Sequence, residues 1–373
     1  MCNVFSYIMS YPRNLFISKA KAEKHTEKYI SECLQYIDKL DSLNLPVIFD
    51  VRHLAILLDI DIQKLYLLSN NLDGQYAYFT ISKRNGGKRR IIAPFTPIRN
   101  VQLWIKQNIL DVIEVPQCVY AFVKGRSIVS NAKAHENAKY IKKYDICNFF
   151  ESISIHDVCK AFNLLGYDNK VSWTLAKLCT TKVDQYKLDK LAEDKPDDAL
   201  LFGELSTKVP FLVQGAPTSP GLSNLVCYRL DRRLQGLANK YGCCYSRYAD
   251  DITFSSDTLK ALPKDKTIER IIQSEGFVVN RSKTRLLKPG MRQMVTGLLI
   301  DNKVRVSSKY KRDINRHIHF CKKYGGKSHF ARIAPNLAYG KEWLQGRIYF
   351  VYSVEPDAAK IMLAEFDKID WMK

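Results

Sequence analysis

Two adjacent carboxylates, Asp250 and Asp251, sit between two β-prone runs, Cys243 to Tyr248 and Ile252 to Ser255. A third, Asp145, closes the run Tyr140-Ile141-Lys142-Lys143-Tyr144-Asp145. Strands are depleted of acids, and buried acids need something that offsets their charge. The runs around the acidic pair therefore read as a hairpin, and a divalent cation would offset the repulsion. Adjacent residues of a regular strand face opposite sides. A tight turn would keep both carboxylates near one cleft; a regular strand would leave Asp250 with Asp145 and put Asp251 at the rim. The competing reading is a solvated Asp-Asp turn. Against it stand the strand context on both sides and the separate Asp145.

These acids lie in a basic chain. Lys and Arg total 58 against 38 Asp and Glu, a formal charge of +20 and a pI near 9.4. Such a surplus favours a polyanion partner through counterion release and steering. The length of 373 residues suits two or three compact units, and the 46% apolar content is that of a globular protein. Ten cysteines without a Cys-x-x-Cys pair read as free thiols of a reducing compartment. The start, Met1-Cys2-Asn3-Val4-Phe5, lacks the basic n-region of a signal peptide, and no apolar run reaches transmembrane length. The expectation is a cytoplasmic protein with no membrane partner. Neither a Gly-x-x-x-x-Gly-Lys-[Ser/Thr] loop nor a Gly-x-Ser-x-Gly elbow is present, and the seven histidines are dispersed. P-loop ATPase, serine hydrolase and zinc chemistry are thus unsupported.

Periodicity predicts helices over 21–40, 51–58 and 62–68, then a hairpin of Tyr76 to Ser82 and Arg89 to Ala93 around Asn85-Gly86-Gly87. Further helices are predicted over 98–113, 155–162, 169–178, 221–238 and 266–275. Strands are predicted over 140–146, on both sides of the acidic pair, and over 277–279, 295–299 and 303–306. Residues 184–204, with Asp184, Asp189, Glu193, Asp194, Asp197, Asp198 and Glu204, read as an exposed acidic excursion with room for one short helix. Their charge would repel a phosphate backbone, so they are placed away from any nucleic acid, as a protein contact or a surface loop. From Ser308 onward the pattern is helical and basic. The fold class is α+β, an antiparallel sheet backed by helices.

Three sequence boxes then carry a resemblance. Tyr248-Ala249-Asp250-Asp251, Gln214-Gly215-Ala216-Pro217-Thr218-Ser219-Pro220 and Asp145-Ile146-Cys147-Asn148-Phe149-Phe150 resemble, in order and separation, the catalytic boxes of reverse transcriptases. Asn131-Ala132-Lys133-Ala134-His135 and Val295-Thr296-Gly297-Leu298 resemble boxes of the bacterial retron subgroup. The likeness runs from about Tyr76 to the C-terminus. Group II intron and diversity-generating enzymes are the near alternatives.

The resemblance implies a right-hand polymerase. After a helical lead-in over 1–70 come fingers over 71–139 and the first part of the palm over 140–165. Helices of fingers and palm follow over 166–213, then the second part of the palm with the primer grip over 214–307, and a helical thumb over 308–373. It implies two Mg²⁺ ions at Asp145, Ile146, Asp250 and Asp251, with Asp251 completing the acidic triad. Phe150 would exclude a 2′-hydroxyl, Gln214 would lie against the nucleotide or template base, and Gly215 would allow close backbone approach. The partners implied are dNTPs, a cognate structured RNA that serves as primer and template, its RNA-linked single-stranded DNA product, and a neighbouring effector protein in phage defence.

By position in that plan, Lys88, Arg89 and Arg90 meet the triphosphate, the choice among them left open. Lys283 is expected near the leaving pyrophosphate as general acid. Thr296 and Gly297 are expected at the primer end. Asn131 and His135 would position the RNA or support the fold around it. Lys309, Lys311, Arg312, Arg316, Lys322 and Lys323, interleaved with Tyr310, Phe320 and Tyr324, read as a helix face gripping a duplex backbone. Two other functions compete: an RNA-templated RNA polymerase, against which Phe150 speaks, and a non-catalytic RNA-binding scaffold, which would have lost a metal carboxylate.

Overall fold

A computed structural model describes residues 11–83, 86–334 and 339–372. The opening pentapeptide, and Arg84 and Asn85 of the predicted hairpin turn, lie outside the described residues. The chain divides into two compact units. One comprises residues up to Pro116, Cys147–Arg232 and Ile272–Val278; the other comprises Gln117–Ile146, Arg233–Ile271 and the chain from Val279.

The first unit opens with helices Arg13–Ala22, Glu27–Asp41, Val51–Leu57 and Ile62–Asn70. The single helix predicted over 21–40 is two helices. Lys24 turns left-handed at φ 60°, and the Thr26 hydroxyl caps the second helix by accepting from the Tyr29 N–H. Strands β1 (Tyr76–Ser82) and β2 (Lys88–Pro94) pair antiparallel, Thr80 opposite Arg90 and Ser82 opposite Lys88. The helix predicted over 98–113 runs as Thr96–Ile105 and then widens into a π-helical turn over Lys106–Leu110.

The acidic segment is the largest departure from expectation. It is neither irregular nor merely exposed: it forms helices Gln185–Asp194 and Pro196–Gly203. Leu188 and Leu191 pack against a core of Tyr76, Ile92, Val183, Phe202, Phe211, Val213 and Ala216. Phe202 meets the Tyr78 ring edge-on at 5.3 Å. Seven acids dominated the local composition, while the few apolar residues that decide burial recur at helical spacing.

In the second unit, β3 (Tyr140–Asp145), β4 (Cys244–Tyr248), β5 (Asp251–Ser256) and β6 (Arg285–Leu287) form an antiparallel sheet in the order β4-β5-β3-β6. β6 was not predicted: three residues following Arg281 and Lys283 are too short and too basic to signal a strand. The strand predicted over 277–279 is reduced to an isolated bridge from Val279 to Ile146. Strands β7 (Met294–Val295), β8 (Leu298–Ile300) and β9 (Val304–Arg305) form a second small sheet. Helices Ser308–Tyr324, Gly326–Ile333, Gly340–Tyr352 and Pro356–Phe366 follow. Ile314, Ile318, Leu344, Ile348 and Val351 share one apolar core with Val295, Leu298 and Ile300. The helix predicted over 221–238 is again two, Ser219–Val226 and Tyr228–Tyr241.

At Gly215 glycine is demanded by close approach of another backbone segment. Gly215 has φ 133°, and a Cβ there would lie 2.8 Å from the Ile92 carbonyl oxygen. The neighbouring Gln214 carbonyl accepts from the Ile92 N–H at 3.0 Å, so this segment runs along β2. Gly215→Ala is expected to cost about 1–3 kcal/mol by combining strain with a clash. Gly242→Ala, at φ 67° but in open space, should cost nearer 1 kcal/mol. Urea denaturation of the two variants measures the difference.

Candidate active site

The acidic hairpin has a two-residue loop. Tyr248 pairs with Asp251 across β4 and β5, which leaves Ala249 and Asp250 at the tip. Ala249 takes φ 56°, a left-handed conformation that costs a residue with a Cβ roughly 1–2 kcal/mol. The turn is therefore tight, and it resolves the alternatives left by the sequence. Asp251 lies directly opposite Asp145 on β3, and the Asp250 carbonyl accepts from the Ile146 N–H at 3.0 Å. The three acids are brought together by backbone pairing.

Two lysines stand among them. The Lys283 ammonium, from the short 3₁₀ turn Arg281–Lys283, donates to Asp145 Oδ2 at 2.9 Å. Lys143 Nζ lies 2.8 Å from Asp251 Oδ2. Burial, and then the charge of Asp145, hold the Asp250 carboxyl above its ordinary range. Asp251 is also raised by burial, against the opposing pull of Lys143. As they stand, the side chains do not converge on one point: among the described residues, no group of three or more His, Cys, Asp or Glu is set to hold a metal ion. Asp145 and Asp251 are turned onto their lysines.

Other expected residues fall elsewhere. The Asn131 and His135 side chains are buried, each only 1% exposed. His135 is clamped between two hydroxyls, Nδ1 to Ser255 Oγ at 2.7 Å and Nε2 to Ser246 Oγ at 2.6 Å, tying β5 to β4. Burial and the two hydroxyl contacts place His135 within the sheet face. Thr296 and Gly297 form the tip between β7 and β8, at φ 46° and 81°. The Thr296 hydroxyl donates inward to the Ile128 carbonyl at 2.9 Å, while Gly297 is exposed.

In the first unit, the three basic residues of β2 separate by strand alternation. Lys88 and Arg90 share the face covered by the Pro196–Gly203 helix. Lys88 pairs with the buried Asp198, which also accepts from Thr80 Oγ1 at 2.9 Å. Arg90 donates to the Leu201 carbonyl at 2.6 Å, to Glu204 Oε2 at 3.0 Å and to Asn148 Oδ1 at 3.2 Å. Arg89 is exposed on the opposite face, beside Ile81. The acidic segment therefore packs against the basic hairpin. Phe150 is half-buried against Phe149, ring centroids 5.4 Å apart. Gln214 is half-buried and Gly215 exposed.

The basic helix sorts in the same way. Lys309, Arg312 and Arg316 follow one stripe of Ser308–Tyr324 and, with Ser307, Tyr310, Asp313 and Arg347, line a cavity of about 530 Å³. Lys311 instead binds Glu355 at 2.8 Å. Lys322 is paired with Glu365 at 2.5 Å, and Lys323 is exposed.

Residues 81–296 match the family model described as reverse transcriptase (RNA-dependent DNA polymerase). The retron Ec86 reverse transcriptase of Escherichia coli is 31% identical over 338 residues, covering 89% of this chain and 93% of that protein. The chain belongs to the retron reverse transcriptases. It is an RNA-directed DNA polymerase. The retron Mx162 and Mx65 reverse transcriptases of Myxococcus xanthus are 33% and 36% identical, over 79% and 71% of this chain. The chain spans 61% of the length of each of those two. No described helix is long and apolar enough to cross a membrane, and the nine described cysteines are free thiols.

Sequence reasoning about this retron enzyme missed Lys143 and Arg347. Lys143 had a usable signal: two positions before Asp145, it must share that residue's sheet face. Arg347 had none, because its place at the cavity and over the Tyr310 ring, 4.5 Å from the centroid, depends on tertiary packing.

The His135 clamp has a pH signature. Burial, then the nearby Lys143 charge, push its pKa from 6.5 to about 4. Folding therefore favours the neutral ring. Its contribution is full above about pH 6.5 and is lost as pH falls toward about 4, on the order of 3 kcal/mol in all. His135→Gln should be less stable at pH 7.5 and should lose less stability between pH 6.5 and 4.5. Equal slopes for the two proteins in urea melts across that range would count against the clamp.

Proposed function

We propose that this reverse transcriptase extends DNA by two-metal nucleotidyl transfer at Asp145, Asp250 and Asp251, on a cognate structured RNA that serves as primer and template. The observation that carries this reading is the direct cross-strand pairing of Asp145 with Asp251, with Asp250 in the two-residue loop beside them.

The donor set fits magnesium. Three carboxylates supply the hard oxygen ligands it prefers, and the Asp145 charge raises the cost of ionising both Asp250 and Asp251. Lysine ammoniums now stand against two of the three. The set consists of Asp145, Asp250 and Asp251, with Ile146 adjoining. When bound, two such ions activate the 3′-hydroxyl and stabilise the departing pyrophosphate. Lys283, released from Asp145, would supply positive charge and a proton to that leaving group. Phe150 would block a ribose 2′-hydroxyl, and Gln214 and Gly215 would bear on the nucleotide. Among the basic residues of β2, Arg89 is the choice for the β and γ phosphates, because Lys88 and Arg90 already hold acidic partners.

The fold is assigned as a right hand, with fingers over 71–139, palm over 140–165 and 214–307, and thumb over 308–373. Gly297, Thr296 and the stripe Lys309, Arg312 and Arg316 are assigned to primer and duplex. The product is RNA-linked DNA. A neighbouring effector and a role in phage defence are proposed on the retron likeness alone.

Asp250→Asn should reduce Mg²⁺-dependent incorporation by more than about 100-fold, with binding of the RNA retained. Extension by the variant at wild-type rate would remove Asp250 from the metal site and overturn this reading of the acids. In single-nucleotide incorporation, deoxynucleotides should be preferred; preference for ribonucleotides would point to an RNA polymerase.

Arg89→Ala should raise KM for dNTP about tenfold or more. The double variant Lys88→Met with Asp198→Leu, which replaces the ion pair by apolar groups, should keep KM near wild type. A KM raised as far as by Arg89→Ala would make Lys88 the phosphate ligand instead.

A further inference from the structure

The geometry points to Lys143 as a positioning residue for the reaction, a built-in counter-ion that fixes the Asp251 carboxylate through Oδ2 beside Asp145 and Asp250. This rests on the metal-site reading above and adds a residue to it.

Consecutive lysines on β3 are sent to opposite faces by strand alternation. Lys142 crosses to Asp265, 2.8 Å away. Lys143 shares its face with Asp145 on β3 and, by register, with Asp251, Thr253 and Ser255 on β5. Its ammonium reaches diagonally past Thr253 to Asp251 Oδ2 at 2.8 Å. Both partners are largely covered, with side chains 22% and 26% exposed. Arg285, directly opposite Lys143 on β6, turns away and donates to the Thr284 carbonyl at 2.8 Å. Behind Thr253, the same face carries His135 between Ser246 and Ser255. The Lys143 stem thus runs between a clamped imidazole and a buried acid, on strands already fixed by their ladder.

The two lysines of the site differ in what holds them. Lys283 comes from a 3₁₀ turn, and its side chain is 60% exposed, so it can leave Asp145. Lys143 comes from the interior of a central strand, and its stem is enclosed on that face. It would remain on Asp251 through the cycle, neutralising the carboxylate opposite Asp145.

The test uses the full chain without nucleic acid or nucleotide, with Mn²⁺ as the probe. In EDTA, Lys143→Met should melt several degrees below wild type, because the Asp251 carboxylate is left buried and unpaired. Its affinity for Mn²⁺, read by electron paramagnetic resonance, should rise about tenfold, the effect of removing a neighbouring positive charge. Lys143→Arg should restore both readouts. The Lys143→Met and Asp251→Asn changes should be strongly non-additive in EDTA melts.

Additive melts, or a Lys143→Met protein that binds Mn²⁺ and melts like wild type while Asp250→Asn binds Mn²⁺ poorly, would overturn this inference alone. Undiminished Mn²⁺ binding by Asp250→Asn would overturn it together with the metal-site reading.

Discussion

Repulsion among three carboxylates held together by backbone hydrogen bonds is the constraint on which the rest of this enzyme depends. Directly opposed residues in an antiparallel pair stand about 5 Å apart. At that separation two unit charges at an effective dielectric near 20 repel by about 3 kcal/mol, several times the net worth of one hydrogen bond. No single contact could hold such a cluster. It is held because Asp145 and Asp251 are ladder residues and because Ala249 accepts a left-handed conformation to turn the chain at the tip. The strain is local, and the strands that impose it are buried through Ile252, Phe254 and Tyr144. A centre built this way cannot relax by splaying apart, so it must recruit cations: lysines here, and magnesium in the proposed working state.

What could be read in advance follows from the range of the forces involved. The acidic hairpin, the hairpin of β1 and β2 and the long amphipathic helices were legible because alternation and helical spacing are properties of consecutive residues. The acids themselves drew notice because strands are depleted of acids. β6 was not, because three residues on a sheet edge owe their conformation to pairing with β3 rather than to their own propensity. The break near Lys24 was hidden for the opposite reason: Glu23 to Lys28 is a polar stretch with no Gly or Pro to mark a stop, and only the Thr26 cap marks the restart.

The acidic segment shows where composition misleads. Counting charges over 184–204 suggested a solvated excursion. The structure buries Asp198 and uses it, with Glu204 and the end of the Pro196–Gly203 helix, to hold Lys88 and Arg90. Buried acids and basic strands that look incompatible when read separately satisfy each other. Burying either partner alone would leave an uncompensated charge, which is why such a pair is a strong statement about geometry even where its net worth to stability is small.

The same argument changes what the +20 charge means. Net charge sets the long-range attraction of this chain for a polyanion, but local pairing sets which groups remain to make contact. On β2, two of three cations are already engaged, and alternation turns the third to the other face. On the helix Ser308–Tyr324, Lys311 is drawn inward to Glu355 while Lys309, Arg312 and Arg316 stay together on one stripe beside Arg347. Asp313 binds both Arg316 and Arg347, so this stripe is a braced array rather than a loose fringe of charge. A braced array loses less side-chain freedom when a phosphate backbone arrives. On the proposed reading, affinity for nucleic acid would be reckoned from these few oriented groups rather than from the total.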